Sequence, residues 1–362
     1  MKTKFFPYIA LLSASCFLPF SANAEKRIKP SDPRIAYIGR VSLSNPEKAV
    51  FTYPGIQMLA DFTGTSAKVQ TKPGSGYFMV EIDDMEPFKV YSSDSNSTLV
   101  LAENLPDGPH ALTLTYVNEG LLMKPEIRGL LIDDDADLMG YPELPERKIE
   151  FIGNSITCGL GNEGDPSAKK FDYSMQNQYY TYEAIASREL DAQCFVVARS
   201  GIGIYRNNNG NVKGDSNNLQ AVYPYTQFGM TGEKWDFSKY TPDVVCVNLG
   251  TNDTTNPGYD VKLLANAFKK FLATLRGKYP EAKIVLLTGT MLKGQRLADV
   301  KKAHQEAIKD ANNRGDFEIY SFDFTPDDGS LGKGVFNHPS RARHEKMAEE
   351  LVPFLREITG WN

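Results

Sequence analysis

The apolar pattern of this 362-residue chain changes period near residue 145, so one layer architecture cannot serve its whole length. Up to about residue 134, short stretches rich in β-branched and aromatic residues, such as 49–53, 76–82 and 110–117, alternate with turn chemistry. The turns are marked by Asn45-Pro46, Pro73-Gly74, Asp94-Ser95-Asn96 and Pro106-Asp107-Gly108. That spacing predicts an all-β sandwich. Tyr141-Pro142-Glu143-Leu144-Pro145 comes next, and its two prolines suit neither helix nor central strand, which predicts a linker.

Beyond the prolines, apolar runs at 149–152, 194–197, 244–249, 284–287 and 319–322 alternate with helix-like stretches around 177–190, 260–278, 296–313 and 341–358. Leu263, Phe268, Phe271 and Leu275 recur at approximately helical spacing, as do Met347, Leu351 and Phe354. Five short buried strands with intervening helices predict a parallel sheet covered on both faces. The expected division is a leader at 1–24, a β-sandwich domain at 25–145 and an α/β domain at 146–362.

The leader is read from Lys2 and Lys4, the apolar run 5–20 and the small residues Ser21-Ala22-Asn23-Ala24 ahead of Glu25. Export to the periplasm or the exterior is the expectation, with lipid anchoring at Cys16 as the lesser alternative. No later stretch approaches the roughly 20 apolar residues of a membrane span, so no membrane insertion is expected. A formal charge of −5 without a Lys/Arg block argues against nucleic acid as a partner. Cys158, Cys194 and Cys246 lack CxxC spacing and read as small buried hydrophobes, with a Cys158–Cys194 bridge left open. Oligomeric state cannot be read.

In parallel sheets ligands sit at the carboxyl ends of the strands. Gly153-Asn154-Ser155-Ile156-Thr157 follows the first run, Arg199-Ser200-Gly201-Ile202-Gly203 the second and Gly250-Thr251-Asn252-Asp253 the third, while Asn337-His338-Pro339-Ser340 precedes the last helix. A serine at a strand-to-helix turn presents a hydroxyl and an N–H donor, and a loop histidine can take its proton. A glycine lets a backbone N–H approach closely, and an asparagine amide donates beside it. Each residue also has a structural role open to it: Ser155 as a helix N-cap, Asn252 and Asp253 as an Asx-turn, Gly203 as a turn glycine, His338 as a holder of a backbone carbonyl. Placement at successive strand ends selects the catalytic reading.

Gly153-Asn154-Ser155, Gly203, Gly250-Thr251-Asn252-Asp253 and His338-Pro339 resemble the four blocks of the SGNH (GDSL-like) hydrolases, with Asn154 where Asp is usual. Residues 151–159 and 200–207, with His338-Pro339-Ser340, look like carbohydrate esterase family two, as, less diagnostically, do Ile38-Gly39-Arg40 and 60–65. That resemblance implies an N-terminal jelly roll joined to an SGNH domain, and release of acetyl groups from plant polysaccharides or oligosaccharides such as xylan or mannan. It implies Ser155 as nucleophile, His338 as base, and Ser155 N–H, Gly203 N–H and the Asn252 side chain as oxyanion hole. Gly201 is the second candidate for the Gly203 role.

One departure matters: the Asp usual three residues before the His is here Val335. The sequence looks like the Ser–His dyads of the resembled family that lean on a main-chain carbonyl. Asp327 and Asp328 read as turn residues, and His344, His304 and His110 as packed within helices or the β domain. With one His and no clustered ligands, neither metal nor cofactor is expected. A lipolytic or thioesterase enzyme acting on longer acyl groups, and a catalytically silent carbohydrate-binding protein, are the alternatives.

Overall fold

A computed structural model describes residues 24–229 and 232–362. The leader expected at 1–24, with Cys16, falls on residues 1–23 and so lies almost wholly outside them. The N-terminal domain has two antiparallel sheets. One orders Glu25–Ile28, Glu126–Asp133, Ala67–Thr71 and Thr98–Ala102, with Ala49–Val50 also on Glu126–Asp133. The other orders Leu138–Gly140, Gln57–Gly64, Gly108–Tyr116, Gly76–Ile82 and Phe88–Ser92, with Ala36–Ile38 on Gln57–Gly64. Burial alternates along Gln57–Gly64, which turns Met58, Ala60 and Phe62 onto a core with Phe51, Val69, Phe78 and Leu130. The strand expected at 49–53 shortens to Ala49–Val50, though Phe51 and Tyr53 stay buried.

The C-terminal domain has five parallel strands in the order Ala192–Ala198, Arg147–Gly153, Val244–Asn248, Lys283–Thr288, Ile319–Asp323. Alternation along Arg147–Gly153 sends Ile149 and Phe151 into one core with Tyr182 and Ala186 of Tyr182–Glu189 and Met347 and Leu351 of Arg341–Thr359. Ile152 joins the opposite core with Phe268 of Val261–Lys278 and Val300 of Gly294–Asn312. Helices thus cover both faces, as near-continuous apolar strands require. The chain leaves its first strand for one neighbour and then crosses to the other side. That strand order opens a crevice at the carboxyl ends of the first three strands.

The second core is continuous with the sandwich core. Arg40, wholly buried, reaches across the joint. Its guanidinium bonds Glu150 Oε1 at 3.2 Å on the first parallel strand and the Tyr225 carbonyl at 3.1 Å, and contacts the Tyr223 carbonyl. The rings of Tyr53, Phe195, Tyr223, Trp235 and Phe237 lie 4.6–6.0 Å from it, and Tyr223 OH donates to Glu150 Oε2 at 2.9 Å. The charge is therefore paired and caged by aromatic faces, which is what lets it leave water. Cys158, Cys194 and Cys246 are free and buried, and burial pushes all three thiols up.

Candidate active site

Strand Arg147–Gly153 ends where a side chain cannot fit: a Cβ at Gly153 would lie 2.0 Å from Thr157 Oγ1. Ser155 follows at 8% exposure. The strand-to-helix turn expected here is instead a run of turns, closed by Cys158 N–H on Asn154 O and Leu160 N–H on Ser155 O, both 3.0 Å. Gly159 and Gly161, both at φ 70°, take the left-handed conformation that stops helix growth. Ser155 is accordingly no helix cap, and its N–H acts without a helix dipole behind it. Asn154 supports the loop: Oδ1 accepts from Ile156 N–H at 3.0 Å, and Nδ2 donates to the Asn248 carbonyl of the third strand at 3.1 Å.

His338 arrives from the far end of the chain with Nε2 2.8 Å from Ser155 Oγ. Its Nδ1 lies 3.2 Å from the Val335 carbonyl, which also accepts the His338 backbone N–H. A carbonyl only accepts, so Nδ1 carries the proton and Nε2 is left free to accept from the serine. The loop is held against the turn that carries Ser155, with Val335 N–H donating to Gly161 O at 3.0 Å. A Cβ at Gly334 would stand 2.2 Å from that same oxygen. Phe336 and Asn337 are both left-handed, at φ 54° and 60°, a conformation costly for phenylalanine.

Among the described residues no carboxylate reaches the imidazole. Asp327 Oδ1 accepts from Gly329 N–H, and Asp328 Oδ1 from Ser330 N–H and Oγ–H, so both cap their own turn. The other histidines are engaged elsewhere: buried His344 accepts from Tyr182 N–H at 3.2 Å, His304 packs on Phe268, and His110 pairs with Asp83. Burial holds the His338 pKa below 6.5, against the opposing pull of the Val335 and Phe336 carbonyls. The neutral imidazole is the form able to act as a base, so activity should be lost only as pH falls through that lowered value. The acid limb of kcat/KM is expected to have its midpoint below 6.5, and a midpoint above it would show the imidazolium to be stabilised by a charge not identified at this site.

The third set of residues separates the two glycines offered for the oxyanion hole. Gly203 N–H donates to Asn207 Oδ1 at 3.1 Å, and the residue packs against Asp253 and the Arg206 carbonyl. It is Gly201, at φ 78°, that lines the cleft with Ser155, Asn252, Met291, Phe336 and His338, and the cleft holds about 540 Å³. Among the described residues the N–H groups of Ser155 and Gly201 find no protein acceptor. Asn252 Nδ2 donates one hydrogen to Ile202 O at 2.8 Å and keeps its second. Asp253 accepts from the backbone N–H groups of Ile204, Tyr205 and Arg206 at 2.8–3.1 Å and so shapes the turn beyond Gly203. The arrangement places a hydroxyl, an imidazole on it and three residues with free N–H donors around one cleft, the groups that acyl transfer requires.

A parallel-sheet domain with this dyad, preceded by a β sandwich, defines an SGNH-type hydrolase of two domains, and comparison with known proteins narrows the class. Residues 37–142 match the carbohydrate esterase 2 N-terminal family, and residues 151–346 match the GDSL-like lipase/acylhydrolase family. The chain is similar to the cellulase/esterase CelE of Acetivibrio thermocellus, with 36% identity over 91% of this chain, and it spans 40% of that protein's length. An acetylxylan esterase / glucomannan deacetylase of Cellvibrio japonicus is 29% identical over 98% of both chains. The structure of a family two carbohydrate esterase from Clostridium thermocellum in complex with cellohexaose superposes with a TM-score of 0.84 at 36% identity, covering 91% of this chain and all of that one. The chain belongs to family two of the carbohydrate esterases.

Proposed function

We propose that the protein is a serine esterase that removes O-acetyl groups from plant polysaccharides or oligosaccharides such as xylan or mannan. The observation that carries this reading is the 2.8 Å contact of Ser155 Oγ with a His338 ring whose tautomer is set by the Val335 carbonyl. In the proposed cycle His338 Nε2 takes the Ser155 proton as Oγ attacks the acetyl carbonyl carbon. The oxyanion is met by Ser155 N–H, Gly201 N–H and Asn252 Nδ2–H, with Gly201 taking the place first expected of Gly203. The C–O bond to the sugar breaks, the sugar oxygen leaves with the proton from Nε2, and water repeats the sequence to release acetate.

A carbohydrate alcohol is favoured over a lipid by the names of the relatives and by the cleft itself. Phe336, 49% exposed beside His338, offers a flat face of the kind on which a sugar ring rests, and Asn208 and Ser200 bring polar groups. The leader-like segment at 1–24 is consistent with action outside the cytoplasm. The test is acetate release from acetylated xylan and acetylated glucomannan, measured beside aryl esters of increasing acyl length. Acetyl esters are expected to be preferred to butyryl and longer ones. The reverse order would favour the lipolytic reading, and no hydrolysis at all the binding protein.

A further inference from the structure

Resting on that reading of Ser155, His338 and Gly201, we propose that Glu119, contributed by the β-sandwich domain, is a positioning residue for the oxyanion hole. Glu119 precedes the short helix Gly120–Met123 at its N-cap, yet its side chain makes no cap there. The carboxylate instead crosses to the other domain. Its Oε1 accepts from Ser200 N–H at 2.6 Å, and its Oε2 accepts from Ser200 Oγ–H at 2.5 Å and Gln176 Nε2 at 3.3 Å. Gln176 Nε2 in turn donates to the Cys158 carbonyl of the nucleophile's turn at 2.8 Å. One carboxylate therefore braces two of the three loops that carry the proposed oxyanion donors, those of Gly201 and Ser155.

Ser200 is the residue before Gly201, both line the cleft, and the Ser200–Gly201 peptide bears the Gly201 N–H, which has no acceptor among the described residues. Glu119 holds the Ser200 N–H and hydroxyl on one side, and Asn208 N–H holds Gly201 O at 2.8 Å on the other, so both peptides that flank this planar unit are anchored and its N–H is restricted in how far it can swing. A misplacement of about 1 Å in such a group costs roughly 10²-fold in rate. A negative charge near a developing oxyanion works against catalysis, so what Glu119 supplies is geometry and not field.

Glu119→Ala in the full chain is expected to lower kcat roughly 10- to 100-fold with KM within about threefold, because the donor is used when charge develops on oxygen. Affinity for a boronic acid, whose tetrahedral adduct on Ser155 places an oxygen in the hole, should fall in parallel. Glu119→Gln should recover part of the loss, since Oε1 still accepts the Ser200 N–H and the Ser200 hydroxyl can turn to accept from the amide, while the bond from Gln176 Nε2 is given up. Should Glu119→Ala fail to fold, Ser200→Ala removes one of the anchoring bonds and is expected to lower kcat about 3- to 10-fold. A kcat within twofold of the parent in either folded variant, or a rise in KM with kcat held, overturns the assignment. Ser155→Ala assayed alongside separates this from the parent reading: if it stays active the nucleophile is wrong, whatever Glu119 does.

Discussion

Ser155→Ala is expected to fold as the parent does and to lose about four to six powers of ten in kcat, because the covalent route needs its oxygen. His338→Ala should fall into the same range. No other imidazole can replace it, since His344 is buried with Nδ1 on the Tyr182 N–H and His110 belongs to the sandwich. In a Ser-His-Asp triad, removing the acid costs about 10⁴, and here that loss has no residue to fall on. Asp327→Asn and Asp328→Asn are therefore expected to stay within about tenfold of the parent, as their carboxylates cap a turn. Initial rates on an acetyl ester, with circular dichroism to verify folding, decide the matter. Near-normal turnover in folded Ser155→Ala would sink the mechanism, and collapse in either Asp variant would return a carboxylate to it.

Arg40→Ala should show the largest effect on stability, a loss of about 3–5 kcal/mol in denaturant unfolding, because Glu150 would be left buried without its cation. The sign of the pH dependence follows from the same charge. An unpaired buried carboxyl has its folded-state pKa raised above the unfolded one, so the folded state binds the extra proton and stability falls as pH rises. The deficit of Arg40→Ala should accordingly be smaller near pH 5 than near pH 8. The double variant Arg40→Met with Glu150→Leu removes both charges and should recover much of the loss. A deficit that does not change between single and double variants would show that the aromatic cage, and not the ion pair, carries the joint.

Much of the architecture could be read from apolar periodicity. All five parallel strands fall on the five runs; four are buried on both faces, which leaves a continuous apolar mark, while the edge strand Ile319–Asp323 is half exposed and not the buried strand expected. Ser155, Asn252 and His338 could be picked out because they follow strand ends or precede the last helix, where side chains converge. What periodicity misses are contacts made only when the domains dock. Arg40 meets Glu150, and Glu119 meets Ser200, across long stretches of chain, and no local pattern points from one to the other. Glu150, an acid inside the apolar run 149–152, was the one legible sign that a cation must lie opposite. Gly201 is left-handed and lines the cleft while Gly203 packs against Asp253 and the Arg206 carbonyl, a difference of loop conformation that residue types leave open. The absence of a helix after Ser155 follows from Gly159 and Gly161, which were visible as glycines but not as left-handed ones.

The docking of the Gly334–Val335 backbone onto Gly161 has a dynamic consequence. His338 and Ser155 come from opposite ends of a domain, yet their loops are joined main chain to main chain, so displacing one loop pulls on the other. The Oγ–Nε2 separation is thereby tied to a main-chain bond and not to side-chain packing alone. Transplanting this chemistry to another parallel-sheet scaffold would mean carrying 154–164 and 334–338 together, as one cassette.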